Sequence, residues 1–172
     1  MNELALINEK LYDTAEGLGM CDKFAVPWEN SVYGKQELID MYFRGLDFCI
    51  EHHYPTNEMI KKFFESELRW KNGVFVDESR SVLNATRVVA LGRSTIKLRV
   101  NGFAVSQMYL RDNSTADVFV RHHAHLIINL YDNASVKIIE ASSTNTPVVI
   151  LHGNNVKYEL KDGLTAKIKK RE

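Results

Sequence analysis

The 172-residue sequence has only two cysteines, Cys21 and Cys49, and no CxxC pair. A disulfide framework or cysteine-rich metal knot therefore does not organise it, and two free thiols in a reducing cytosol are the expectation. No apolar run approaches the roughly 18 residues that a membrane-crossing helix needs. The opening Met1-Asn2-Glu3 is acidic rather than basic and apolar, so no secretory signal is expected. A Ser-His-Asp order, an HExxH and a GxxxxGK[ST] are all missing. That lack does not by itself exclude an enzyme, because catalytic sets need not be sequential. Net charge is also zero, but its halves differ. Residues 1–80 carry 9 Lys/Arg against 15 Asp/Glu (−6), and residues 81–172 carry 13 against 7 (+6). Such asymmetry can steer a partner or be satisfied within the chain.

What the sequence does have is a repeat. Read in tens, the eighth place is Val88, Leu98, Met108, Val118, Ile128, Ile138, Val148, Tyr158 and Ile168, all apolar. Most tens open on turn formers: Asn101-Gly102, Asp112-Asn113, Asp132-Asn133, Ser142-Ser143, Gly153 and Asp162-Gly163. Strand side chains alternate between faces, so the eighth and tenth places should point inward. Glu140 and Lys170 break the tenth-place pattern. The sixth place is small or apolar and also reads as inward, while the mostly polar seventh place, including Lys97, Asp117 and Lys137, reads as outward. The fourth place is small (Ser94, Ala104, Ser114, Ala124, Ala134, Thr144), as a tight corner demands. A fixed period implies one unit stacked on itself, and two tens make a coil of about twenty residues. The expectation is a flattened two-sheet β-solenoid over 81–172. An antiparallel meander of ten-residue hairpins is the alternative, and an ordinary sandwich comes third.

Residues 1–80 read as a helical head and linker. Leu4, Ile7, Leu11, Ala15 and Leu18 give an amphipathic helix over 3–16, ended by Gly17 and Gly19. Residues 21–34 read as a loop, because Val26-Pro27 disfavours helix, with Trp28 as a lid over a small core. A second helix is expected over 35–53, two-sided in its apolar pattern, with Gly45 at a close helix crossing and His52-His53 at its end. Tyr54-Pro55 breaks the chain, and Thr56 or Asn57 caps a third helix. Asn72-Gly73 turns into a strand at 74–76, and residues 77–80 form a charged linker. The head should cap the first coil. The basic run Lys169-Lys170-Arg171 should hinder sheet growth at the far end.

Three segments, Gly19-Met20-Cys21, Leu38-Ile39-Asp40-Met41-Tyr42 and Gly45-Leu46-Asp47-Phe48-Cys49-Ile50-Glu51 with Tyr54-Pro55, carry a resemblance. Together with the repetitive tail, the chain resembles a family of uncharacterised proteins of gut Bacteroidales, their phages and their mobile elements. Members of that family similarly follow a short helical head with a repetitive β tail. The resemblance implies a phage or mobile-element setting and transfers no catalytic residue.

Two groups stand out as candidate sites. A twenty-residue coil would stack Asp112 on Asp132, with His152 following. Two carboxylates about 4.8 Å apart repel, so they should favour a cation or a charged His152, unless both simply cap their turns. Asn113, Asn133 and Gly153 would form a parallel column. The second group is His122, His123 and His125, with His123 and His125 on one strand face. Imidazoles are good zinc ligands, but a site needs three or four placed donors, and His122 would lie near Gly102 and Ser142, which offer none. No cofactor is implied. The functional expectation is a non-catalytic binding or structural protein of phage or mobile-element origin, a virion component or an inhibitor of a host factor. It would work in the cytoplasm of the host or in the particle. The partner would be a protein or another copy of the chain rather than a small molecule, nucleic acid or membrane. The alternative is a metal-dependent enzyme using the histidine cluster.

Overall fold

The computed structural model describes residues 2–142 and 147–171. The chain forms two compact units, residues 1–68 and 69–172. That boundary falls ahead of residue 81, because the first two strands of the repeat region lie within residues 74–83.

The first unit is helical. Helix α1 spans Glu3–Gly17 and is capped by Asn2, whose side chain accepts the Leu4 N–H at 3.2 Å. It buries Ile7, Leu11 and Ala15, the stripe that its spacing predicts. The expected loop at 21–34 instead holds helix α2, Asp22–Glu29, with Pro27 inside it. Proline removes only one backbone donor here, and the helix is fixed from its far side. Trp28 is buried and donates its indole N–H to Asn8 Oδ1 at 3.0 Å. The same oxygen accepts the Tyr33 N–H at 2.9 Å, while Asn8 Nδ2 donates to the Leu4 and Tyr33 carbonyls at 2.9 and 2.8 Å. Tertiary hydrogen bonding thus overrides the local preference that proline sets.

The expected helix over 35–53 divides at Gly45 into α3, Lys35–Arg44, and α4, Leu46–Glu51. A Cβ on Gly45 would meet only ordinary contacts, Met41 O at 3.6 Å and Phe24 Cζ at 3.8 Å. Gly45 therefore marks a bend between helices rather than a close crossing. Helix α5, Asn57–Phe63, is capped as expected by Thr56, which accepts the Met59 N–H at 3.2 Å. Phe64 then turns extended, and α6, Ser66–Lys71, follows.

Tyr54 is buried, and its hydroxyl donates to the Leu11 carbonyl at 2.9 Å. Burial pushes this phenol well above the ordinary tyrosine value, with a smaller contribution from Cys49. The native state then keeps a proton that the unfolded chain gives up near pH 10, so stability falls as pH rises through that point. Alkaline denaturation curves of wild type and Tyr54→Phe test this. The wild type should lose stability above about pH 10, and the variant should lose this component of the slope.

The second unit is a parallel β-solenoid. Its strands are β1 (Val74–Val76), β2 (Ser79–Leu83), β3 (Arg87–Leu91), β4 (Thr95–Val100), β5 (Val105–Leu110), β6 (Thr115–Val120), β7 (His125–Leu130), β8 (Ser135–Ala141), β9 (Val148–His152), β10 (Lys157–Leu160) and β11 (Lys167–Lys170). They form two sheets, β1-β3-β5-β7-β9-β11 and β10-β8-β6-β4-β2, and neighbouring strands within them run parallel. Consecutive tens alternate between sheets, so each coil takes two of them. The meander is excluded, because residues 115–120 and 125–130 lie in different sheets. Among the described residues the repeat holds no helix.

The central coils keep a twenty-residue step: Lys97 lies beside Asp117, and Met108 beside Ile128. The first coils are shorter, with Ser79 paired to Thr95 and Val74 to Val89. Residues 79 and 80, expected as linker, are therefore already strand. The inward places hold through the middle. Val88, Leu98, Met108, Val118, Ile128, Ile138 and Val148 are all completely buried, as are Ala90, Val100, Leu110, Val120, Leu130 and Ile150. The misfit at Glu140 has a local cause. A register shift after Val118 pairs Phe119 with Glu140 and Val120 with Ala141, so Ala141 takes the inward place. Tyr158 and Ile168 are each 40% exposed, although their register partners Val136 and Ile150 are buried. Each lies on the last strand of its sheet, with a neighbouring strand on one side only. The small fourth place is also real, with Ser94, Ser114, Ala124 and Ala134 completely buried at corners. Ser143 and Thr144 lie outside the described residues.

Arg69 and Trp70, at the end of α6, pack on the start of the solenoid. Arg69 Nη1 lies 2.7 Å from Glu78 Oε1, Trp70 Nε1 donates to the other oxygen, and the Arg80 guanidinium lies 3.5 Å from the centre of the Trp70 ring. Gly73 makes the turn into β1 at φ +76°, and a Cβ there would sit 2.3 Å from the Arg87 carbonyl oxygen. Gly73 also accepts the Val89 N–H at 2.8 Å, which closes the first coil. Gly73→Ala should therefore cost more than about 3 kcal/mol, combining an unfavourable dihedral with a backbone clash. A urea titration followed by β-sheet circular dichroism reads this, and an unchanged midpoint would refute the close approach.

Candidate binding surface

Each coil turns at two corners, and each corner builds a column of equivalent residues. In the first column Gly92, Asp112 and Asp132 all take left-handed backbone, at φ +67°, +60° and +52°. Aspartate tolerates this region better than most residues, which explains its place in the motif. The stack expected of Asp112 on Asp132 is present. Asp132 Oδ2 accepts the Asp112 N–H at 3.1 Å, and Asp112 Oδ2 accepts the Gly92 N–H at 2.6 Å. Asn113 and Asn133 continue the ladder through the backbone, donating to the Gly92 and Asp112 carbonyls at 3.0 Å.

The cation beside these carboxylates is Arg111. It is buried, with Nε 3.3 Å from Asp112 Oδ1 and 3.9 Å from Asp132 Oδ2. His152 does not join the column. The chain gains two residues before β9, so Leu130 pairs with His152, and Gly153 donates to the Leu130 carbonyl at 3.1 Å. That bond parallels the ones from Arg111 to Ala90 and from Tyr131 to Leu110. Gly153 therefore continues the Arg111–Tyr131 position and not the Asn113–Asn133 one. His152 contacts the Tyr158 ring at 5.4 Å instead. The Asp112–Asp132 pair is thus a turn-capping ladder. Asp132→Asn should retain nearly all stability. Asp132→Val should cost about 2 kcal/mol, because a β-branched residue resists positive φ and lacks the acceptor for the Asp112 N–H. Equal melting temperatures for the two variants would contradict this role.

The second corner carries the histidines. His122 (φ +59°) and Gly102 (φ +71°) share a turn position, and His123 donates its backbone N–H to Gly102 O at 2.9 Å. His123 lies in the turn and not in a strand, so it does not share a strand face with His125. The three imidazoles do not bring three donor atoms within 4.8 Å of one another. Ser142 is not opposite His122, because the shifted register pairs Ala141 with Val120.

His123 instead stacks on Phe103, with ring centres 5.0 Å apart and planes within 13°. Phe103 is 84% exposed, and Val105, the register partner of His125, is 61% exposed. Along the adjoining rim of the second sheet, Leu83 pairs with Arg99 and Arg99 with Phe119. Lys97 Nζ and the Arg99 guanidinium lie 5.4 and 5.5 Å from the Phe119 ring centre. Arg121 is held by Glu140, with both Nε···O distances at 2.9 Å. The fold therefore gathers exposed apolar and basic groups from three coils onto one corner. The signal was present in the repeat, since Phe103 and His123 occupy the same place twenty residues apart.

No protein-family model, curated protein or solved structure matches this chain. Among the described residues, no helix is long and apolar enough to cross a membrane.

Proposed function

We propose that this protein is a non-catalytic binding or structural protein that engages a protein partner through the exposed corner of its solenoid. The observation that carries this reading is the apolar group of Phe103 and Val105, presented with Leu83 and Arg99 on stacked coils. Large exposed apolar side chains beside arginine are the composition of protein interfaces. A regular stack holds them in place without ordering cost at the moment of binding. The resemblance of the head motifs supports a phage or mobile-element setting, as a virion component or an inhibitor of a host factor.

The test is comparative capture from host extract and from particles, using the wild type and a Phe103→Ser/Val105→Ser double variant as bait. Both positions are exposed, so the variant keeps the fold. A defined partner retained by the wild type and lost by the variant supports the reading. A specific turnover activity, insensitive to the double variant but abolished by one fold-preserving polar substitution elsewhere, overturns it.

A further inference from the structure

The corner is basic as well as apolar, and the chain itself contains an exposed surface of opposite character. Residues 69–172 hold 16 Lys/Arg against 9 Asp/Glu, a net +7, while residues 1–68 hold 6 against 13, a net −7. On α2, Asp22, Val26 and Glu29 are spaced i, i+4 and i+7, so they line one helix face. All three are exposed, with Val26 at 58%, and Val32 just beyond the helix is 60% exposed. Trp28 points into the unit's core, which fixes that face outward. More acid converges nearby. The Tyr12 phenol is held above its ordinary value by desolvation and then by the carboxylates of Glu16, Glu29 and Asp13.

We propose that the corner formed by Arg99, Phe103 and Val105 is the docking surface for the α2 face of a second copy, formed by Asp22, Val26 and Glu29. The proposal rests on the reading of this corner as a protein-binding surface and names its occupant. Each patch pairs exposed aliphatic or aromatic area with charge, and the charges are opposite. Val26 would cover Phe103 and Val105, while Glu29 and Asp22 meet Arg99 and Lys97. The two patches differ, so a single contact leaves one corner and one α2 face free. Association therefore continues until a ring of two or more copies closes or an open chain grows. A patch this small gives weak, salt-sensitive association.

Sedimentation velocity on purified full-length chain tests this without any foreign ligand. Concentration is varied from about 1 to about 100 μM, at about 0.01 M salt, where charges act over about 30 Å, and at about 1 M, where they act over about 3 Å. The weight-average mass should rise with concentration at low salt and fall towards the monomer at high salt. Phe103→Ser, Arg99→Glu and Glu29→Lys should each weaken association at least about tenfold, which corresponds to about 1.4 kcal/mol. Mixing Arg99→Glu with Glu29→Lys should restore association, because the mixture reunites a native corner with a native α2 face. Monomer throughout at low salt overturns self-association, as does association that none of the three variants changes. Neither result touches the capture experiment, which tests binding by the corner to other proteins.

Discussion

Ile128→Asp is expected to unfold the solenoid at room temperature, while Asp117→Ser should shift its stability by less than about 1 kcal/mol. Ile128 is completely buried between the sheets, in register with Met108 and Ile150. The substitution forfeits about 1.5–3 kcal/mol of apolar burial and adds several more for a carboxylate without a partner. That sum rivals the whole stability of a domain, about 5–15 kcal/mol. Asp117 stands on the outward face, exposed, between Lys97 and Lys137 in the neighbouring strands. Its loss removes only solvent-screened attraction. Urea midpoints followed by β-sheet circular dichroism separate the two cases, and equal midpoints would refute the assignment of faces.

Glu78→Ala is expected to cost about 3 kcal/mol through a different mechanism. The Arg69 side chain is only 5% exposed and Glu78 only 18%, at 2.7 Å. Removing the carboxylate leaves the guanidinium's desolvation uncompensated and also takes the acceptor from the Trp70 indole. Glu78 further donates its backbone N–H to Ser94 Oγ at 3.2 Å, so the pair is tied to the first corner, beside Gly92. Trp70 fluorescence reports the change directly. Glu78→Gln should recover part of the loss, because the amide oxygen still accepts the indole N–H. An Ala variant as stable as wild type would show that this ion pair does not secure the start of the solenoid.

The middle of the solenoid was legible because its inward places are filled by apolar residues at a constant period. No competing pattern interrupts residues 88–138. Legibility failed where one residue changed the count. The extra residue in β8 after Ile138 moves the inward place from 140 to 141, and the two-residue gain before β9 moves that strand against its neighbour. A constant twenty-residue step thus misplaces His152 by two positions. In the head, the local propensities of Pro27 and Gly45 point to a loop and a close helix crossing. Asn8 and Trp28 then fixed α2 across twenty residues of sequence, a contact that periodicity does not reveal. The histidines resemble ligands by residue type alone. Their surroundings, Phe103 and Val105, became informative only when exposure was known, because in sequence an exposed phenylalanine is indistinguishable from a buried one.

The parallel twenty-residue step underlies both corner columns and the exposed corner of the solenoid, and paired cysteines measure it. In a Cys21→Ser background, Lys97→Cys/Asp117→Cys places two thiols on adjacent parallel strands about 4.8 Å apart, within disulfide range. Gln107→Cys/Phe119→Cys places them on the outer faces of different sheets, although an antiparallel hairpin would bring these two together. After mild oxidation, mass spectrometry should find the intramolecular disulfide in the first pair and free thiols in the second. A disulfide joining positions 107 and 119, with free thiols at 97 and 117, would contradict the solenoid and the surface built on it.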